Sequence, residues 1–583
     1  ESSIGFAIPG PGPHVIRPLS SLPPLSSPDT FVDGSTQVSP SGEPLIVLEG
    51  ASAEANAVGL RLTGAGSAVR ALEIRDWEGG GVRITAADCI VDRCVIATGS
   101  PFMPGGPNGI TISDAPNALI GGSSAIARNV ISGNGGAGIS VAGVTSTGVR
   151  IQGNFIGTDR SGMEEIENVE GIVVEASVPP GTLIGGPNAG EGNLISGNRF
   201  RGVVLIGSGS QVQGNVIGLA SDGHTRIPNN SGILVNGQLN QIGGSNPQLT
   251  GLPAGFGAGN VISGNTSTGI SITGGGNNTV IGNLIGVAAD GMTPVGSGGE
   301  GIFIYESHDN QIGGVAAGTG NVISGNSRSG IAVFGAPSMG NHITGNLIGV
   351  DVTRHRLIGN LHGVEVRGTS FNFIGGTGSG NVIAGNSGAG VSIQDLGNND
   401  LISSNSIYAN GALGIDLGLD GVTPNDPPPD ADTGPNLFQN YPVSMEAHLE
   451  EQPPRFVGHL ESAFNESFTI ELFLNESPDP SGFGEGQHFL MRFLATTDSN
   501  GAASWEHTFT GTLPPGRYLT ATATGPDANT SEFSPQAVAT GRGPSAAEIA
   551  DAILGLIPER PEYDTNGVPP VDAADVVKAV NGP

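Results

Sequence analysis

Over its first 420 residues or so the chain sets its apolar positions in pairs two apart, each pair opening on a glycine. The pattern Gly-[Ile/Val/Leu]-x-[Ile/Val/Leu] occurs thirteen times between Gly59 and Gly414, mostly at intervals of 22 to 33 residues. Alternation with a period of two over so short a run marks a strand with one face turned inward. Two further strand patterns fill the intervals. One is Asn-x-Ile-x-Gly, as in Asn240-Gln-Ile-Gly-Gly, Asn310-Gln-Ile-Gly-Gly and Asn372-Phe-Ile-Gly-Gly; the other is Gly-Asn-x-Ile-Gly, at 153–157, 214–218, 282–286 and 345–349. Three short strands separated by tight turns and repeated at this length predict the coils of a right-handed parallel β-helix. A flat sheet or sandwich would need hairpin signals instead, and Asn-Gly pairs between alternating strands are sparse.

A longer period overlies the first. Asn-Val-Ile-Ser-Gly-Asn stands at 129–134, 260–265 and 321–326, with near copies at 193–198 (Asn-Leu-Ile-Ser-Gly-Asn) and 381–386 (Asn-Val-Ile-Ala-Gly-Asn). The start-to-start intervals of 64, 67, 61 and 60 residues correspond to two coils each. Such self-similarity means one supersecondary unit stacked on itself. Thirteen coils at about 4.8 Å predict a rod about 60 Å long. Asparagine tolerates the left-handed turn conformation. Stacked coil on coil, its amide can donate to one neighbour and accept from the other, forming a ladder. These residues are read as scaffold, with no catalytic role.

The pattern stops near residue 420. Residues 423–435 form a proline- and aspartate-rich linker. Five alternating strands follow, at Phe456–Ser462, Phe468–Asn475, His488–Thr496, Ala503–Thr510 and Arg517–Thr524, with Trp505 and several phenylalanines as their core. This spacing predicts a small antiparallel, Ig-like β-sandwich. Ser545–Pro583 is helical in pattern. The expected fold class is all-β with a short α-helical tail: β-helix over 1–440, sandwich over 441–541 and tail over 542–583.

Composition narrows the partners. The net charge is −31, and Lys578 is the single lysine among 22 basic residues. An acidic surface of this kind repels nucleic acid phosphates and favours solubility. No apolar run reaches membrane-spanning length. The chain starts at Glu1 with no signal peptide, which reads as a processed, exported chain. Cys89 and Cys94 each replace a repeat asparagine at one end of a strand, too far apart to bridge. Both are expected to be inert buried thiols.

The Asn-Val-Ile-Ser-Gly-Asn and Gly-Asn-x-Ile-Gly-x-Asp repeats, with residues 8–18 and 410–418, resemble the secreted bacterial β-helix repeat proteins that carry a pectate-lyase-like solenoid. The resemblance covers about residues 4–440 and implies the fold and an extracellular or cell-surface bacterial location, but little about activity. The C-terminal segment resembles a dockerin-type calcium loop, which implies Asp564, Asn566, Asp572 and Asp575 as ligands and calcium as the candidate cofactor. The pattern is degraded, with Val568 at the third ligand position, Pro569 where a glycine is usual, and one loop instead of two. Members of the solenoid family often carry a helical cap with a Leu-Arg-x-Ala-Ile pattern, whereas Glu1-Ser-Ser-Ile already reads as first strand. An uncovered end is a template for another copy; equally, residues 9–13 or the downstream domains could cover it.

Catalysis on polysaccharide needs paired carboxylates, or a calcium-carboxylate cluster with a basic residue. Asp159, Asp222, Asp290 and Asp351 recur with the repeat and read as turn formers. The pectin-hydrolase signatures Gly-His-Gly and Arg-Ile-Lys are absent, and a lyase base would have to be arginine. Places where the repeat breaks are better candidates: Tyr305–Asp309, Asp351–Arg356, His362 and Glu365, from which Glu306, Asp309, Arg354 and Glu365 are selected. Trp77, Tyr305 and Tyr408 are the only Trp or Tyr residues of the rod, few for a sugar platform. The expectation is therefore an extracellular structural protein that self-associates or docks to other cell-surface proteins, forming head-to-tail filaments. The alternative is a polysaccharide lyase or glycoside hydrolase acting on the lateral face, or a glycan-binding adhesin without turnover.

Overall fold

The computed structural model describes all residues except 1, 40–41, 100–105, 247–256, 450, 452, 511–517 and 541–583. The tail expected over 542–583, with Asp564, Asn566, Asp572 and Asp575, lies outside the described residues. No helix among the described residues is long and apolar enough to cross a membrane.

The chain divides into two units. The first, residues 1–425 with 431–439 and 524–532, is a parallel β-helix built of three sheets of 14, 14 and 13 strands. Every pairing within these sheets is parallel and in register, so isoleucine stacks on isoleucine. In the second sheet, Ile131, Ile156, Ile195, Ile217, Ile262, Ile285, Ile323 and Ile348 form one buried column. The thirteen Gly-[Ile/Val/Leu]-x-[Ile/Val/Leu] segments are the thirteen strands of the third sheet, from Leu60–Leu62 to Ile415–Leu417. The first coil adds a strand to each of the other two sheets and reaches the third only through a bridge at Leu25.

Buried asparagines join the coils at their corners. Asn129, Asn154, Asn193, Asn215, Asn260, Asn283, Asn321, Asn346, Asn381 and Asn405 form an unbroken ladder, each Nδ2 donating to the next Oδ1 at 2.9–3.0 Å. Each Oδ1 also accepts the backbone N–H of the preceding asparagine, as Asn283 Oδ1 does from Asn260 at 3.1 Å. The amide thus satisfies backbone groups that the turn would leave orphaned. Cys94 occupies the ladder position before Asn129, and its N–H donates to Asn129 Oδ1 at 2.8 Å. Both cysteines are free and buried, and burial pushes their thiols up to about 11 for Cys89 and about 12 for Cys94.

The two-coil period has a mechanical cause. Alternate coils extrude a short hairpin, at 158–165, 219–226, 287–294 and 350–357, each closed by an antiparallel bridge. A hairpin has two strands and so spans two coil heights. Its return strand covers the short turn of the preceding coil, as in Gly197 N–H to Ile227 O (3.1 Å) and Gly325 N–H to Ile358 O (2.8 Å). Consecutive hairpins pair through Ser221 to Gly162, Ala289 to Gly223 and Val352 to Gly291, making a continuous fin. The serine of the hexapeptide is its anchor. Ser132, Ser196, Ser263 and Ser324 each donate to the first carbonyl of the next hairpin (Thr158, Leu219, Val287, Val350) at 2.6–2.8 Å. The one copy with alanine, Ala384, precedes the coil of Ser406–Tyr408, which carries no such hairpin.

At the last coil, residues 524–532 and 436 close the stack. Asp400 stands where other coils have asparagine and accepts from Asn372 N–H and Nδ2, while its Oδ2 has no partner among the described residues. Burial pushes the Asp400 carboxyl up to about 7. Glu532 accepts from the N–H groups of Leu417 and Thr423, and burial, aided by the charge of Asp416, pushes it up to about 7 as well.

The second unit contains antiparallel strands at Arg455–Glu461, Ser467–Asn475, His488–Thr496, Ala502–Thr508 and Tyr518–Thr524, within two residues of the expected ones. Val443–His448 and Ala537–Thr540 complete seven strands and pair with each other in parallel. Phe456, Phe468, Leu472, Trp505 and Leu519 are among the residues of its core.

Two outcomes follow from these contacts. Ser263→Ala should cost about 1–2 kcal/mol, since its hydroxyl holds Val287 O and the Gly286 N–H, whereas Ala384→Ser should bring no gain; urea titrations measure both. The folded pKa of Asp400 lies above its unfolded value, so its contribution is complete below pH ~4 and is lost as pH rises through about 7. Asp400→Asn should therefore stabilise the protein at pH 8 by on the order of 3 kcal/mol and have little effect at pH 4, read by thermal melts at the two pH values.

Candidate functional site

The x of each Gly-[Ile/Val/Leu]-x-[Ile/Val/Leu] segment points outward from the third sheet, because strand side chains alternate. In the C-terminal half these residues are in register as Ser271, Phe303, Ala332, Glu365, Ser392 and Asp416. Two positions on lies a second outward column of Thr273, Tyr305, Phe334, Arg367 and Gln394. A third column comes from the residue before each repeat glycine: Glu170, Arg201, Ser231, Thr268, Glu300, Ser329 and His362.

Aromatic rings and titratable groups meet where these columns run side by side. Phe303 stacks on Tyr305 with centroids 6.1 Å apart and meets Phe334 edge-on at 5.4 Å. Tyr305 is 41% exposed, and a hydrogen bond to the Glu306 carboxylate holds its phenol above the ordinary range. Ala332 separates Phe303 from Glu365 along the sheet and leaves a step between them. Glu365 Oε2 accepts from Ser329 Oγ at 2.6 Å, and Oε1 from Gln394 Nε2 at 3.1 Å. Glu300 lies one rung before Ser329, accepts from Thr268 Oγ1 at 3.3 Å and faces Arg328 at 3.6 Å. His362 lies one rung beyond Ser329, and its Nδ1 accepts the Ala389 N–H at 3.0 Å, which places the proton of the neutral ring on Nε2. Arg367 pairs with Asp395 at 3.0 Å. One serine thus sits between two carboxylates beside an aromatic shelf.

The four residues selected from sequence do not converge. Glu365 and Glu306 share this face; Asp309 lies in the turn toward the first sheet, bonded to His308 at 2.8 Å. Arg354 belongs to the hairpin 350–357, where it lines a cavity of about 250 Å³ with Val352 and the turns around Gly314, Gly345 and Gly378. Phe303, Phe334, Glu300 and Ser329 went unselected. Their signal was positional: each occupies the x of a repeat, two residues after it, or the place before its glycine.

The turn aspartates behave as expected of turn formers. Burial raises the Asp290 carboxyl, but hydrogen bonds from Thr293, the Met292 N–H and His224 bring it down to about 2. Asp159, similarly placed against Ser161 and the Met163 and Glu164 N–H groups, also lies at about 2.

A family model described as a right handed beta helix region matches residues 42–217. With the three parallel sheets, this defines the first unit as a right-handed parallel β-helix. No curated protein matches it in sequence. Solved structures to which it is similar include the mannuronan C-5 epimerase AlgE4 A-module of Azotobacter vinelandii, at 14% identity over 70% of this chain and 87% of that one, TM-score 0.29. Another is the enzymatically active domain of tailspike protein 2 of bacteriophage CBA120, at 11% identity over 85% and 69%, TM-score 0.24. A third is the periplasmic alginate epimerase AlgG, at 13% identity over 61% and 72%, TM-score 0.19.

Proposed function

We propose that this β-helix binds a polysaccharide across the outer face of its third sheet and acts on it through Glu365, as a glycoside hydrolase or polysaccharide lyase of an extracellular or cell-surface bacterial protein. The juxtaposition of the Phe303–Tyr305–Phe334 shelf with the Glu365–Ser329–Glu300 group supports this reading above all. Sugar rings present an apolar face that packs on aromatic side chains, while their hydroxyls take hydrogen bonds from residues such as Gln394 and Arg328 and donate to oxygens such as Ser329 Oγ. The scarcity of Trp and Tyr counts for less once two phenylalanines join Tyr305. Glu365, held by two neutral donors, is the group proposed to act on a bound sugar, and Glu300 and His362, in the column before the repeat glycines on the same sheet, are the candidates for its counterpart.

The filament reading rests on the first coil, where Ile4 is 49% exposed beside a cavity of about 500 Å³ lined by Phe6, Ile16 and Leu25. The third-sheet site is the better-supported reading. A screen of neutral and acidic polysaccharides for binding and product release tests the proposal. Tyr305→Ala should weaken binding by up to about tenfold. Glu365→Gln should retain binding and lower turnover by about 10²–10⁴-fold. Binding without product release by the wild-type chain would leave the adhesin version; absence of binding would remove both.

A further inference from the structure

The outer face of the second sheet carries a different anomaly. Near its N-terminal end, between residues 35–38 and 42–44, the turn 125–128 and the first hairpin, lies a cavity of about 750 Å³. Its wall includes Val95 and Val130 and three arginines, Arg93, Arg128 and Arg160, contributed by three successive coils.

Two of these arginines stand where sister coils have glycine for a steric reason. Arg93 has φ +60°, in the place filled by Gly153 (+68°), Gly214 (+66°), Gly282 (+67°) and Gly345 (+66°). Ala71 (+53°) and Ser404 (+57°) hold the same conformation with small side chains. Any residue with a Cβ is strained in the left-handed region, and such strain gathers at functional sites. Arg128 precedes its ladder asparagine, as do Gly192, Gly259, Gly320 and Gly380. A Cβ on any of those four glycines would lie within 2.0 Å of a carbonyl oxygen of the next coil. Adjacent coils have therefore each exchanged a constrained glycine for arginine at one cavity, in a chain of net charge −31.

The guanidinium groups are incompletely neutralised. Arg128 lies over the Phe155 ring at 4.0 Å and donates to Gly153 O at 3.3 Å, and no carboxylate among the described residues acts on its charge. Burial lowers its pKa below the ordinary arginine value. Among the described residues Arg93 reaches only Asp92, at 3.7 Å, and Asp92 is bound more closely by Arg70 at 3.1 Å. Arg160 pairs with Glu43 at 3.1 Å and lies 3.9 Å from Glu73.

We infer that this cavity is a binding site for an oxyanion (carboxylate, sulfate or phosphate) carried on a ring-sized, partly apolar body. The anion sits between Arg93 and Arg128, whose planar forks suit a two-oxygen group. The ring lies against Val95 and Val130, within a volume typical of small-ligand sites. The site is on a different sheet from the proposed polysaccharide face and does not depend on it.

Calorimetric titration of the full chain with inorganic sulfate, inorganic phosphate, benzoate, naphthalene-2-sulfonate and neutral benzamide tests this. A ring-borne anion should bind roughly tenfold more tightly than the bare anion, and benzamide should not bind; the order among the anions identifies the head group. Arg93→Gly and Arg128→Gly restore the residue of the sister coils, so both should fold with melting temperatures close to the wild type while each weakens binding by about tenfold or more. Arg83→Gln, on the third sheet, should bind as the wild type does. Failure of every anion to bind, equal binding by both glycine variants, or equal loss in Arg83→Gln would each overturn the inference.

Discussion

The buried asparagine amide is the contact on which the rest of the rod depends. A coil that turns every few residues breaks its own backbone pairing at each corner, and a corner facing the core has no water to satisfy it. Asn283 shows the solution. Its Nδ2 donates to Asn321 Oδ1 and to the Ile242 and Ile281 carbonyls, while its Oδ1 accepts the N–H and Nδ2 of Asn260. An amide alone among the side chains offers donors and acceptor in one planar group that can repeat at the spacing of strands. Because each amide needs the next one in place, the ladder holds the parallel register of all three sheets and stacks isoleucine upon isoleucine.

With register held at the corners, the turns become free to differ, and here the two-coil period arises. A hairpin two strands wide covers its own coil and the preceding one, so neighbouring coils cannot both extrude a hairpin on the same side. The hexapeptide serine joins these levels: its hydroxyl reaches the first carbonyl of the hairpin above. Ala384 shows the dependence from the other side, since the serine is missing in the copy that no hairpin follows. The period is thus a packing consequence, and the outward Val and Leu residues of the second sheet, such as Leu284, Val322 and Leu347, are buried under the fin it builds.

Much of this was legible in the residues. Periodicity alone places all thirteen third-sheet strands, the ladder and the unbridged cysteines, because those features repeat. The strands of the second unit were readable to within two residues for the same reason of alternation, but Val443–His448 and Ala537–Thr540 lack a clear alternating flank and were missed. The candidate site was legible only in part. Glu365 and Tyr305 stood out as breaks in the repeat, whereas Arg354 looked adjacent in sequence yet belongs to the hairpin over another sheet. Proximity in a solenoid runs between coils, about thirty residues apart, so clusters along the chain mislead and columns across repeats do not.

That distinction also separates the two kinds of deviation. The x positions of the third sheet hold residues as different as Phe303, Ala332 and Glu365, so each reports mainly what the face contacts. In the alternate coils of Gly192, Gly259, Gly320 and Gly380 the backbone of the next coil excludes a side chain before the ladder asparagine, and the fifth coil of that set holds Arg128. A substitution at a permissive position is cheap and weakly informative; one at a constrained position has required the neighbouring carbonyl, Gly153 O, to become a hydrogen-bond acceptor for the newcomer. Two constrained glycines replaced by the same cationic residue in adjacent coils are therefore stronger evidence of a ligand than a larger number of polar residues spread over the permissive face.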